Sequence, residues 1–336
     1  MGRKFCKTFS KVFGLRRNAP LARAHRAQKG GISITGIITK GIGGFYYVAV
    51  DSGKVFECRA RGIFRHESEQ SGAKSAKSKL TPCVGDKVDI SILDDEKNIG
   101  VVDNIHPREN MLVRPPVANV SQIAIVIATK NPAPNFLLVD KLIIAAEREG
   151  IDVLICVNKT DIKTANEVSE IYETAGFPVI PVCAATEQNF DKLSDMLQGK
   201  ITVLAGNSGV GKSSILNILM GEEVMEVGEV SDKIHRGKHT TRHSELLQLK
   251  NGGFIIDTPG FSAFEAAEIR ADEIEVLFRE FEPCLGKCKF TGCSHVADKG
   301  CAVIEAIEAG QIPQSRHQSY INIFESAKAV KDWQRK

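Results

Sequence analysis

Residues Gly206-Asn207-Ser208-Gly209-Val210-Gly211-Lys212-Ser213-Ser214 carry the spacing Gly-x-x-x-x-Gly-Lys-Ser. In such a loop the glycines let the backbone wrap around phosphate oxygens with successive N–H groups pointing inward, and a following helix N-terminus adds positive potential. Lys212 then reaches the β- and γ-phosphates, and the Ser213 hydroxyl serves Mg²⁺. The context agrees, because the apolar run ITVLA precedes the loop and SSILNILM follows it. A second phosphate-side element is Asp257-Thr258-Pro259-Gly260, at the end of the apolar run GFIID. It offers a carboxylate to Mg²⁺ and a glycine N–H to a γ-phosphate. Between the two lies the polar stretch RGKHTTRHSE, in which the hydroxyl of Thr240 or of Thr241 can complete the Mg²⁺ shell when the loop closes. The run ends in Arg242, and the spacing does not choose between the two threonines.

Asn158-Lys159-Thr160-Asp161 stands at the end of another apolar run, DVLICV. A carboxylate there accepts hydrogen bonds from the N1–H and exocyclic amine of guanine, a donor pair that adenine lacks, so Asp161 selects GTP over ATP. In VCAAT at 182–186 a backbone N–H near Ala184 would meet the guanine carbonyl, although Cys183 occupies a position where such base loops usually carry serine.

These groups need elements that bring them to one edge. From about 107 onward the sequence alternates strands and helices: SQIAIVIATK, FLLVDKLIIAAEREG, DVLICVNK, TANEVSEIYETAG, PVIPVCAA, NFDKLSDMLQG, ITVLAG and KSSILNILMG. The pattern predicts a parallel, doubly wound α/β domain. In such a sheet every nucleotide-contacting loop lies at the carboxyl ends of the strands, so joining the old termini and cutting elsewhere leaves the site intact. That explains why the guanine reader precedes the phosphate loop: the domain is circularly permuted. Ahead of it, GISITGIITK, GFYYVAVD, KVFECRA, VGDKVDISIL and GVVDNI read as five short strands. With the long polar insertion HESEQSGAKSAKSK they fit an OB-fold barrel, a fold that binds nucleic acid through one face and its loops. After Phe261 the chain turns helical around ADEIEVLFREFEP, CAVIEAIEAG and YINIFESAKAVKDWQ. The expected architecture is therefore multi-domain: a basic tail at 1–30, an N-terminal OB-fold β-barrel at 31–106, a circularly permuted P-loop α/β GTPase domain at 107–270, and a C-terminal helical zinc-binding module at 271–336.

Within that last segment, Cys288-x4-Cys293-x-His295-x5-Cys301 offers three thiolates and an imidazole, the soft tetrahedral set of a structural Zn²⁺. Four protein ligands close such a site and disfavour hydrolytic zinc chemistry. Cys284 is a spare thiol that can compete as a ligand. Clustered cysteines in a chain without a secretory signal argue for metal rather than disulfides.

Composition fixes the remaining bounds. Hydrophobic content of 43% and charged content of 25% match an ordinary globular protein, and no apolar run approaches a membrane span. The cytoplasm is the expected compartment, without membrane association. No heptad pattern speaks against a monomer. The net charge of +3 conceals a basic first thirty residues, with Arg3, Lys4, Lys7, Lys11, Arg16, Arg17, Arg23, Arg26 and Lys29 and no acid. This tail suits a phosphate backbone and reads as disordered when free; a solvated tail and an organelle transit peptide are the alternatives.

The permuted order, GNSGVGKSS, DTPGF, a barrel before and a Cys/His module after together resemble the ribosome-small-subunit-dependent GTPase family that acts late in small-subunit assembly, over nearly all of residues 31–330. The resemblance implies hydrolysis of GTP to GDP and phosphate, stimulated by the small ribosomal subunit, with barrel and metal module on its rRNA. It assigns Cys288 as the first zinc ligand. It also places His239, just before the switch threonines, as the group that orients the attacking water, a task that Phe261 after DTPG cannot perform. The competing reading is an RNA-binding module in which nucleotide is mainly structural. Asp161 disfavours an ATPase, and a GTP-dependent RNA-modifying enzyme lacks any further catalytic cluster.

Overall fold

The computed structural model describes residues 33–61, 81–113, 116–221, 245–257 and 269–329. The basic tail, the insertion at 66–79, the threonines and histidine of the switch stretch, and Gly260 and Phe261 lie outside the described residues.

Five strands form the first layer: β1 (Ser33–Ile42), β2 (Phe45–Val50), β3 (Val55–Ala60), β4 (Lys87–Asp94) and β5 (Ile99–Ile105). Their order is β1-β2-β3-β5-β4, and β4 returns to pair with β1, so the sheet closes on itself; β3 and β5 run parallel and the other pairs antiparallel. Alternation along each strand fills the interior with Ile38, Val48, Phe56, Cys58, Val88, Ile90 and Val102, all 1% exposed or less. This is the expected five-stranded barrel. A small hairpin of β6 (Met111–Val113) and β7 (Pro116–Ala118) follows it.

The second layer is a sheet of β8 (Gln122–Ala128), β9 (Asp152–Asn158), β10 (Val179–Pro181), β11 (Ile201–Ala205), β12 (Glu245–Gln248) and β13 (Phe254–Asp257). In order β10-β9-β8-β11-β13 they are parallel, and β12 adds antiparallel to β13. Every residue of β8 is buried, as a strand covered on both faces requires. The period of two divides its side chains cleanly. Ile123, Ile125 and Ile127 pack with α1 (Phe136–Glu149) and α2 (Asn166–Thr174), whereas Ala124, Val126 and Ala128 pack with α3 (Phe190–Leu197) and α4 (Lys212–Met220). The sheet is doubly wound, and each buried Ile contributes about 1.5–3 kcal/mol.

Strand β12 was not among the expected elements. It bridges the layers, since Lys40 of β1 pairs in register with Glu245 and their side chains form an ion pair at 2.9 Å. In the connector after β5, Arg108 closes back onto the barrel: its Nε donates to Oδ1 of the fully buried Asp86 at 2.6 Å and its other arm donates to Oδ2 at 2.7 Å.

The C-terminal segment contains α5 (Ala271–Leu277), a 3₁₀ turn at Arg279–Cys284, α6 (Ala302–Glu308) and α7 (Gln314–Ala329). Its core joins Ile274, Phe278, Phe281, Val303 and Tyr320 to Cys284 and Cys301. Helix α7 begins six residues before the expected Tyr320, because its first turn buries Arg316 rather than an apolar side chain. No helix among the described residues is long and apolar enough to cross a membrane.

Candidate functional site

β11 delivers the phosphate loop between two parallel neighbours, β8 and β13. Gly206 and Gly211 hold positive φ angles of 135° and 100°. A Cβ on Gly206 would lie 2.3 Å from the Val126 carbonyl oxygen, and one on Gly211 would lie 2.3 Å from Asn158 Nδ2, so only glycine fits either place. Val210 is buried and anchors the loop tip, while Ser208 and Gly209 are exposed and Asn207, Ser213 and Ser214 are half-buried. Gly211 caps α4, whose first residue is Lys212. The Lys212 ammonium is turned back over the loop, donating to the carbonyls of Gly206 at 2.9 Å and Asn207 at 2.8 Å. Burial lowers its pKa.

The guanine-side residues meet this loop directly. Asn158 is 1% exposed; its Nδ2 donates to the Val210 carbonyl at 2.9 Å and its Oδ1 accepts the Ala184 N–H at 3.1 Å. It therefore clamps three loops together. The Ala184 N–H, expected to serve a guanine carbonyl, is held in place by this bond to Asn158. Lys159, at φ 63°, lies across the phosphate loop, donating to the Gly209 carbonyl at 2.8 Å and to the Asn131 carbonyl. Thr160 Oγ1 donates to the Val182 carbonyl at 3.1 Å. Asp161 is exposed, and its Oδ1 accepts the Cys183 thiol at 3.2 Å. Thr129, which the sequence did not single out, donates from Oγ1 to the Lys159 carbonyl at 2.7 Å and fixes that left-handed residue.

Asp257 ends β13, next in chain to Ile256, which pairs with Val203 of β11. The backbone thus brings Asp257 to the same sheet edge as the phosphate loop. His239, Thr240, Thr241 and Gly260 lie outside the described residues.

A separate cluster gathers Cys288, Cys293, His295 and Cys301, whose ligand atoms all lie within 4.8 Å of one another. Cys288 Sγ is 3.9 Å from Cys301 Sγ, and His295 Nδ1 is 3.5 Å from Cys288 Sγ and 3.3 Å from Cys301 Sγ. Tetrahedral zinc with bonds of about 2.3 Å to sulfur and 2.0–2.1 Å to nitrogen needs about 3.8 Å between sulfurs and about 3.6 Å from sulfur to nitrogen. The donor set fits that ion. Burial pushes the Cys293 thiol up to about 12 and raises that of Cys301, so a bound cation is what would turn them into thiolates. Around the cluster, His295 Nε2 lies 3.0 Å from Glu275 Oε2, and Asp298 Oδ2 accepts Ser294 Oγ at 2.8 Å and Cys293 Sγ at 3.4 Å. Hydrogen bonds from Ser294 lower the Asp298 pKa. The sequence offered no sign of Glu275 or Asp298, since each sits among other exposed-looking charges. Cys284 belongs to the apolar core beside the cluster, outside the four-atom group.

The model of the RsgA GTPase family matches residues 105–267, and that of the RsgA N-terminal domain matches 35–102. The chain is 48% identical over 304 residues to the small ribosomal subunit biogenesis GTPase RsgA of Ruminiclostridium cellulolyticum, covering 90% of this chain and 96% of that one. It is 43% identical over 292 residues to the protein of the same name from Alkaliphilus metalliredigens, covering 86% and 96%. Among solved structures, YjeQ from Thermotoga maritima superposes with a TM-score of 0.72 at 31% identity over 89% of this chain and 100% of that one. YloQ, described as a circularly permuted GTPase, does so with a TM-score of 0.72 at 32% identity over 92% and 99%. Agreement that extends from the barrel through the permuted domain to the Cys/His segment reflects common descent, and this chain belongs to the RsgA GTPase family.

Proposed function

We propose that the chain binds GTP, hydrolyses it to GDP and phosphate, and acts as a cytoplasmic monomer in late maturation of the small ribosomal subunit, which stimulates the turnover. The observation that carries this reading is the meeting of Asn158, Lys159 and the 206–214 loop at one sheet edge, in a chain whose relatives are named for small-subunit biogenesis.

In this reading Asp161 accepts the guanine donors, with Asn158, Lys159, Thr160 and the backbone around Ala184 shaping the base pocket. Lys212 leaves the carbonyls of Gly206 and Asn207 for the phosphates, and the N–H groups from Asn207 to Ser214 line their path. Ser213 and Asp257 would hold Mg²⁺, with Thr240 or Thr241 completing the shell, and the Gly260 N–H would face the γ-phosphate. Mg²⁺ supplies neutralisation of charge on the β- and γ-phosphates when bound. His239 would orient the attacking water. One Zn²⁺ held by Cys288, Cys293, His295 and Cys301 would be structural. The barrel at 31–106, the module at 271–336 and the basic tail at 1–30 would dock on rRNA beside the GTPase domain at 107–270.

Phosphate release under multiple turnover, with GTP and ATP compared in Mg²⁺, tests the enzymatic part. Hydrolysis confined to GTP and lost in Lys212→Ala is expected. Tight GTP binding with no turnover, alone or with ribosomal subunits, would instead favour an RNA-binding module stabilised by nucleotide.

A further inference from the structure

His295 is 3% exposed, and its two ring nitrogens face different chemistry. Nδ1 looks into the thiols of Cys288 and Cys301, at 3.5 and 3.3 Å, whereas Nε2 lies 3.0 Å from Glu275 Oε2. The backbone beneath the ring is pinned from α7: the His295 carbonyl lies 2.6 Å from His317 Nε2, and the Ser294 carbonyl accepts the Tyr320 hydroxyl at 2.8 Å. Phe281 stands edge-on to the ring at 6.2 Å. Those contacts place the residue but do not choose a ring tautomer. An imidazole binds a metal through an unprotonated nitrogen, and the proton must then sit on the other one, where an acceptor fixes the tautomer and raises ligand basicity.

We propose that Glu275 is the positioning residue of the metal centre: its carboxylate accepts the Nε2–H of His295, so that Nδ1 turns its lone pair to the site formed with Cys288, Cys293 and Cys301. The inference rests on the reading of those four residues as a metal site. It concerns a residue from outside the Cys/His loop, because all four ligands fall between 288 and 301 while Glu275 belongs to α5. Helix α5 is the first described element after Asp257, so this contact ties the helix that follows the phosphate-side strand to the metal loop. A contact that only fastened α5 to the loop, with His295 not a metal ligand, would have the same distance. It would leave metal retention untouched.

The test is the rate at which zinc leaves the full-length chain for a chromogenic chelator at neutral pH, after zinc per chain has been measured. Glu275→Ala, Glu275→Gln and Glu273→Gln are compared with the unchanged chain. Glu273 is a control on the same helix, about 200° around its axis. The unchanged chain and Glu273→Gln are expected to hold one zinc with equal release rates. Glu275→Ala should release it about 10–100 times faster, the usual effect of removing such a partner. Glu275→Gln keeps an acceptor oxygen without the charge and should fall between, which keeps the test available if the alanine variant does not fold. Release from both variants at the unchanged rate would overturn the proposal. An unchanged chain that holds no zinc would overturn the metal reading first, and this inference with it, before any variant is compared.

Discussion

Asn158 does more than its place in a guanine motif suggests. By bonding both Val210 and Ala184 it links the phosphate loop to the base loop. Asn158→Ala is expected to leave the buried Val210 carbonyl without its donor, at a cost of about 1–3 kcal/mol. Denaturant melts should show that loss, and titration with a fluorescent GDP analogue should show weaker binding. Cys183 bears on Asp161 in a similar way, since its thiol donates to the carboxylate that would read guanine. Cys183→Ser keeps a donor and should retain GTP affinity, whereas Cys183→Ala should raise KM for GTP severalfold while sparing kcat. For His239, alanine substitution should abolish subunit-stimulated turnover and spare GTP binding; unchanged stimulation would remove it from the mechanism. That residues 206–214 and 158–161 would meet at one sheet edge was legible, because both motifs have fixed spacing at strand ends. The roles of Thr129 and the Asn131 carbonyl were not legible, because they arise where separate loops meet and leave no local pattern.

Among the elements, long apolar or periodic segments announced themselves: β8, β9, β11 and α1 stand where their hydrophobic patterns put them. β12 was missed because four residues, Glu-Leu-Leu-Gln, are too few to show alternation, yet its backbone carries the sheet on to the barrel. β10 is only Val179–Pro181 where a longer strand was expected, since Cys183 turns back to bond Gln188. The Cys/His segment has little regular structure from 285 to 300, and its ligands share one core with Phe278, Phe281 and Tyr320. Metal removal should therefore loosen this module more than the sheet. Near-UV circular dichroism should lose aromatic signal on chelation, while GTP binding and most far-UV signal persist. Equal loss of both would mean the module and the GTPase domain unfold as one.

At the level of the whole molecule, the C-terminal module is fastened to the GTPase domain by buried charge. Arg316 of α7 is fully buried, donating to Asp140 Oδ1 of α1 at 2.6 Å and to Glu280 Oε1 of the 3₁₀ turn at 2.6 Å. Tyr172 of α2 donates to the same Asp140 oxygen at 3.2 Å. Nothing in the sequence distinguishes Arg316 from an ordinary solvated charge, the usual fate of such a residue, so this junction could not be read from sequence. Removing one partner strands the others, so Arg316→Met should cost about 3–5 kcal/mol. Burial raises the Asp140 pKa, and the Arg316 guanidinium opposes that rise. A carboxyl with a folded pKa above its unfolded value binds its proton more readily when folded. The deficit of Arg316→Met should therefore be smallest in acid and grow as pH rises through the folded value of Asp140, which melts across pH 4 to 8 would reveal.

The central claim is a GTPase gated by the small ribosomal subunit, and its most direct test is GTP turnover of the purified chain alone, with small subunits and with large subunits, each at two salt concentrations. Strong stimulation by small subunits only, weakened by added salt as phosphate contacts are screened, is the predicted result. Stimulation by neither subunit, with GTP binding intact, would contradict the account.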